Sequence, residues 1–191
     1  MKHINKKTTN VILIISLYIL ILTLSACNKK VEDNTPKLYF VYEKYAWTED
    51  SDDYSKVIFL FYSDGQVWYS NDKKIRDLNY YDLINYEPQQ ENSLFYEYAK
   101  VDDADYYYNI FKEIMADGTN NVYAAYSLDV EEYEHTCWYG VDYSDKSAKM
   151  TKIYEAGNGQ SYTNDEKRVD DIVKWMNETR ETKVGEIYES H

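Results

Sequence analysis

Two stretches of this chain space their apolar residues as an amphipathic helix does, and both sit between runs of strand-forming residues. In Asp102–Asp117 the stripe is Tyr107, Ile110, Phe111, Ile114 and Met115. Near the C-terminus it is Val169, Ile172, Val173 and Met176, at i, i+3, i+4 and i+7. Asp102, Asp103 and Asp105 crowd the start of the first helix, where the helix dipole favours negative charge, and Gly118 follows it as a stop. Thr163 and Glu166 have the spacing of a capping box ahead of the second. The order strands, helix, strands, helix leads to one economical packing. It is an α+β fold, an antiparallel sheet or sheets built from hairpins, with the two amphipathic helices on one face. The order occurs twice, but the halves share too little at the residue level to argue an internal repeat.

The strand signals are alternation and β-branched or aromatic content. Lys37–Trp47 alternates Leu38, Phe40 and Tyr42 with Tyr39 and Val41. Lys56–Tyr62 and Gln66–Ser70 flank Ser63-Asp64-Gly65, a turn in which Gly65 supplies positive φ, so a hairpin is predicted there. Three more strands are expected over Asn121–Asp129, Glu134–Tyr143 and Ala148–Ala156, joined by short turns at Val130–Tyr133 and Ser144–Ser147. Gly157-Asn158-Gly159 ends the last. Residues 71–101 read two ways. Leu78, Tyr81, Leu83 and Ile84 suit a short helix that Pro88 ends, while Ser93–Val101 suits a strand or a helix start. A short strand is expected at Val184–Tyr188 in an otherwise polar tail.

Ahead of this body lies a different kind of sequence. Met1–Asn10 carries Lys2, Lys6 and Lys7 and no acid. Val11–Leu24 is apolar except for Ser16, Tyr18 and Thr23, and Leu24-Ser25-Ala26-Cys27 follows. Charged head, apolar centre, small residues and cysteine, in that order, resemble the lipobox of bacterial lipoproteins. The resemblance covers residues 1–27. It implies a signal peptide at 1–26, cleavage before Cys27, and a lipid on that thiol. Val11–Ala26 falls short of the roughly 20 residues a spanning helix needs. Acyl chains on Cys27 would each contribute about 0.8 kcal/mol per buried CH₂, enough for several to hold the chain on a membrane. Asn28–Pro36 is polar, free of glycine and closed by proline, so residues 27–36 are the lipidated cysteine and a tether of roughly 30 Å when extended. Residues 37–191 are then one globular domain. The expected location is the extracytoplasmic face of the cell membrane.

Charge and composition narrow the partners. The whole chain has 34 acids and 21 bases; without the three leader lysines the balance is 34 against 18, a formal net of −16. A body so acidic is repelled by anionic lipid and by nucleic acid, so the covalent lipid must make the membrane contact. With Cys27 on lipid, Cys137 has no partner within the chain, and a hydrophobic core must stand without a disulfide. Tyrosine is abundant, 23 residues against five phenylalanines. A tyrosine buries its ring and keeps its hydroxyl wet, which suits a half-buried sheet and also a broad aromatic binding surface.

No motif of the reactive kind stands out. His135 and Cys137 fall two apart on an expected strand and so share a face, but an ordinary buried thiol beside a surface imidazole accounts for them. Glu49, Asp50, Asp52 and Asp53 lack the EF-hand spacing, and the histidines are too few for a metal centre. There is no nucleophile elbow, phosphate loop, dinucleotide fingerprint or zinc-protease helix. Catalytic, metal and cofactor sites are therefore expected to be none.

Tyr139-Gly140-Val141-Asp142-Tyr143, Ile153-Tyr154-Glu155-Ala156-Gly157, Tyr162-Thr163-Asn164 and Ile172-Val173-Lys174-Trp175 are similar to the C-terminal part of uncharacterised small lipoproteins of Gram-positive bacteria. That resemblance implies no known activity. The expectation is a lipid-anchored, non-catalytic binding module at the cell envelope, with an envelope glycan or protein as partner and the membrane engaged through Cys27. Its ligand contacts are expected at Tyr39, Trp47, Trp68, Tyr69 and Trp138, on the sheet face that the helices leave open. Two rivals are an immunity- or inhibitor-type lipoprotein that faces a basic protein and an envelope hydrolase that works through a carboxylate pair.

Overall fold

Two ten-residue runs rich in aromatic side chains form the centre of the sheet. The computed structural model describes residues 35–47, 54–126, 133–145, 147–157 and 160–188, some of them at element ends by backbone alone. Eight strands follow one another as β1 (Leu38–Trp47), β2 (Tyr54–Tyr62), β3 (Gln66–Ser70), β4 (Tyr96–Lys100), β5 (Val122–Tyr126), β6 (Tyr133–Asp142), β7 (Lys149–Gly157) and β8 (Gln160–Asn164). They form one antiparallel sheet in the order β4-β3-β2-β1-β6-β7-β8-β5. The helices are α1 (Tyr80–Ile84), preceded by a 3-10 turn at Lys73–Asp77, α2 (Ala104–Asp117) and α3 (Lys167–Tyr188). The fold is α+β, as the alternation of periodicities predicts. Among the described residues no helix is long and apolar enough to cross a membrane.

Strand alternation sends every second side chain to one face, and in the central strands both faces are buried. Phe40, Tyr42, Phe59, Phe61, Trp138 and Ile153 point to the face covered by α2 and α3, where they meet Tyr108, Phe111, Ile114, Val169, Ile172, Trp175 and Met176. Leu38, Val41, Ile58, Leu60, Tyr62, Cys137, Tyr139 and Val141 point the other way. They are covered by Ile75, Leu83 and Phe95, which belong to the β3–β4 crossover. Each large apolar side chain fully withdrawn from water stabilises the fold by about 1.5–3 kcal/mol. A bulge in β1 sets Leu38 opposite Tyr62 and Phe40 opposite Phe61, so that Tyr39 and Phe40 both reach the helix face.

Glycine is required at two junctions. In the β2–β3 turn Gly65 has φ 79° and donates its N–H to Tyr62 O at 3.0 Å; an added Cβ would lie 2.0 Å from Val101 O. In β6 a Cβ on Gly140 would lie 2.4 Å from the Phe111 ring, so α2 lies directly on that strand. The expected stop at Gly118 holds: Gly118 N–H bonds to Met115 O and Thr119 N–H to Ile114 O, both at 3.2 Å, which satisfies the last carbonyls of α2.

Several expectations need correction. The three strands after α2 do not form a consecutive set. β5 lies at the sheet edge against β8, and β6 takes the centre beside β1. β6 and β1 are both ten residues long and pair over eight positions, a ladder that five-residue β5 could not offer. β8, QSYTN, is a further strand that no apolar alternation marks. The buried stripe of α2 runs through Ala104, Tyr108, Phe111 and Ile114, with Tyr107, Ile110 and Met115 only partly covered. Glu166, not a Thr163–Glu166 box, caps α3. Its Oε1 accepts Arg168 N–H at 3.2 Å, while Asn164 Oδ1 accepts Glu166 N–H at 3.0 Å. The tail strand at Val184–Tyr188 is instead the end of α3; a lone Gly185 weakens a helix by about 1 kcal/mol and does not stop it.

Candidate functional site

Of the five aromatic residues expected to form one surface, the four whose side chains are described do not come together. Tyr39 stacks on Tyr108, with ring centroids 3.7 Å apart, and donates its hydroxyl to Asp105 Oδ1 at 2.8 Å. Tyr69 packs on Phe59 and Tyr98. Trp138 is 5% exposed, wedged between Tyr42 and Tyr154. These three serve the helix-covered core. Trp68 lies on the opposite face, packed against the crossover cluster. Trp47 ends β1, and its side chain lies outside the described residues. Over the central strands, the sheet face that the helices leave open is covered by residues of the crossover, a segment whose sequence reads two ways.

The acids near α2 also have other work. Asp103 makes no side-chain cap; its Oδ1 accepts the Trp175 Nε1–H at 2.8 Å, which ties α2 to α3. Asp105 holds Tyr39. The loop with Glu49, Asp50, Asp52 and Asp53 lies outside the described residues. Among the described residues, no three metal-ligating side chains converge.

His135 and Cys137 do share a face, within a polar strip on the crossover side of the sheet. His135 Nδ1 lies 3.3 Å from Glu155 Oε1, and Lys152 pairs with the other oxygen of the same carboxylate. Lys152 also lies over the Tyr162 ring at 4.8 Å. Deeper in, Lys56 Nζ meets Glu43 Oε1 at 2.8 Å, with both side chains almost wholly buried. Tyr139 and Tyr80 join hydroxyls at 2.7 Å. Burial pushes the Cys137 thiol up to about 11, with the Glu155 and Glu43 charges adding to it and Tyr139 and Lys152 opposing. Burial, then the Glu43 carboxylate, pushes the Tyr45 phenol well above its ordinary range. A thiol so protonated is a poor nucleophile near neutral pH. The imidazole faces Glu155 rather than acting on sulfur, so the strip reads as an ionic lining between sheet and crossover.

The crossover itself forms an open concavity. Asn79 caps α1 with a true capping box: its Oδ1 accepts the N–H groups of Tyr81 and Asp82, and Asp82 Oδ2 accepts Asn79 N–H at 3.0 Å. Two tight turns follow. Gln90 N–H bonds to Glu87 O, with Pro88 at the second position of the turn, and Ser93 N–H bonds to Gln90 O, with Asn92 at φ 66° in the third. Pro and Asn are the residues such positions favour. The floor is held by Tyr86. Its hydroxyl accepts Leu94 N–H at 2.7 Å, its carbonyl accepts the Tyr62 hydroxyl at 2.9 Å, and its ring packs on Phe95. Between α1 and these turns lies a cleft of about 340 Å³, lined by Leu78, Tyr81, Asp82, Asn85, Tyr86, Glu87, Gln90, Glu91, Asn92 and Ser93. None of these is basic, and the Tyr81 side chain on its rim is 75% exposed. The sequence carries signals for this site in the Asn79–Asp82 spacing and the Pro88 and Asn92 turns, but each is local and none marks a shared cleft.

Comparison with protein-family models, with curated proteins and with solved structures found no match to this chain.

Proposed function

We propose that this chain is a lipid-anchored binding module of the cell envelope that acts without catalysis, held to the outer face of the cell membrane through lipid on Cys27. The leader pattern of residues 1–27 supports the anchor, and the tether of residues 28–36 gives the domain reach beyond the headgroups. The observation that carries the binding half is the cleft over α1. It has shape, a polar lining fixed by backbone turns and an aromatic ring left in solvent, features that favour recognition over packing. The core aromatic residues Tyr39, Tyr69 and Trp138 are already occupied with the sheet and helices, so the working surface moves to the crossover. Cysteine chemistry gains no support from a thiol that is buried and protonated.

The test reconstitutes the full lipidated chain in vesicles and passes solubilised envelope glycans and proteins over them. The chain is expected to retain a defined fraction and to leave it chemically unchanged. Cys27→Ser is expected to lose the vesicles and keep the retained fraction. Release of cleaved products, or retention of nothing, would contradict the reading.

A further inference from the structure

The cleft over α1 has a chemistry narrow enough to name a ligand class, and this step rests on the binding-module reading above. We infer that it binds a saccharide bearing a free amine, such as a glucosamine unit of an envelope polymer.

Three observations lead there. The first is charge. Asp82, Glu87 and Glu91 line the cleft and no lysine or arginine does, so uronic acids and phosphate-bearing polymers are repelled while an ammonium is attracted. The second is pre-positioning of the acceptors. Asp82 is held by the Asn79 N–H at 3.0 Å, and Glu87 Oε2 by Gln90 Nε2 at 2.5 Å, so neither must be ordered when a ligand arrives. Asn85 Nδ2 donates to Tyr81 O at 2.7 Å, which fixes the amide of a cleft-lining residue and leaves its oxygen as an acceptor for hydroxyl groups. The third is Tyr81. An exposed phenol ring offers a flat apolar face for the C–H side of a pyranose and a π-surface for a nearby cation.

A lipid or drug-like apolar ligand does not fit this lining, because the apolar contribution comes from Leu78 and two tyrosine rings alone. A basic peptide would satisfy the carboxylates but would leave the stacking ring and the amides without partners of matching shape. Charge therefore selects the amine, and the ring and amides select the sugar.

The experiment uses the full lipidated chain in neutral vesicles and three probes: a glucosamine tetrasaccharide, its fully N-acetylated form and tetralysine. The glucosamine tetrasaccharide is expected to bind saturably and to weaken about tenfold or more in Tyr81→Ala and in Glu91→Gln. The N-acetylated form is expected to bind more weakly, with the same dependence on Tyr81. Tetralysine is expected to bind without any dependence on Tyr81, and more weakly than the amino sugar. Both variants alter exposed side chains, and near-ultraviolet circular dichroism checks that they keep the native fold. Absence of saturable binding by the amino sugar, unchanged binding in both variants, or tetralysine bound as tightly as the amino sugar would each overturn the proposal. If the parent chain retains envelope material equally well in both variants, this site assignment fails and the binding-module reading stands. If the parent retains none, that reading has failed as well.

Discussion

Lys56 and Glu43 lie on adjacent strands with their charges 2.8 Å apart and almost no exposure to water. Removing one partner leaves the other charge buried alone, so Lys56→Met should destabilise the fold by about 3–5 kcal/mol, whereas Glu43→Leu combined with Lys56→Met should recover most of that loss. Urea unfolding of the parent, the single and the double variant measures both. Alkali should act through the phenols and the thiol. Burial raises Tyr39, Tyr45, Tyr62, Tyr108 and Tyr139 above their ordinary 10.0, and Cys137 from 9.0 to about 11. For groups shifted upward, the unfolded chain releases its protons first. Stability is thus unaffected by them below pH 9 and falls as pH rises from there, first through the thiol and then through the phenols. Thermal midpoints measured across that range should decline steeply, and the share of the tyrosinate signal that belongs to these five phenols should appear together with unfolding. Midpoints that stay level to pH 11 would contradict this assignment.

The elements show which parts of the sequence are self-announcing. The β2–β3 hairpin was legible because Gly65 marks its turn and two alternating runs flank it. α2 and α3 were legible because their apolar residues repeat over several turns. β8 was not, because Gln160–Asn164 is short, polar and set between a glycine-rich break and a helix start. The crossover was not, because its work is divided among single residues: Ile75, Leu83 and Phe95 reach the sheet from separate local structures and make no periodic pattern. The candidate site inherits that difficulty. Alternation could say that Trp68 and Tyr69 face opposite ways, but not that both faces would be covered. The contact of α2 with β6 gives a test at this scale. Gly140→Ala places a methyl against the Phe111 ring and should cost about 1–3 kcal/mol through overpacking. Phe111→Ala should cost about 3–5 kcal/mol through the cavity it leaves. Together they should cost less than their sum, because the new methyl occupies part of the emptied space. A double-variant cycle in urea measures the coupling, and strict additivity would mean that the two groups do not touch. For α1, Asn79→Ala removes the capping box and should lower stability by about 0.5–2 kcal/mol.

At the scale of the whole molecule, a sheet whose central strands are buried on both faces would leave the proposed recognition to what is laid over it. The long helices close one side with side chains already engaged in the core, and the crossover closes the other with a thin cap that carries a cleft. With the leader removed, as proposed, the body would carry a formal charge of −16, which works against adhesion to an anionic membrane. The proposed anchoring therefore depends on a covalent tie, for which lipid on Cys27 is the candidate. Intact-mass and fragment-ion spectrometry of the protein extracted from cell envelopes measures that directly. The account predicts a chain that begins at Cys27 and carries a diacylglyceryl group on its sulfur. An envelope-bound chain that still begins at Met1, or one that begins at Cys27 with a free thiol, would contradict it.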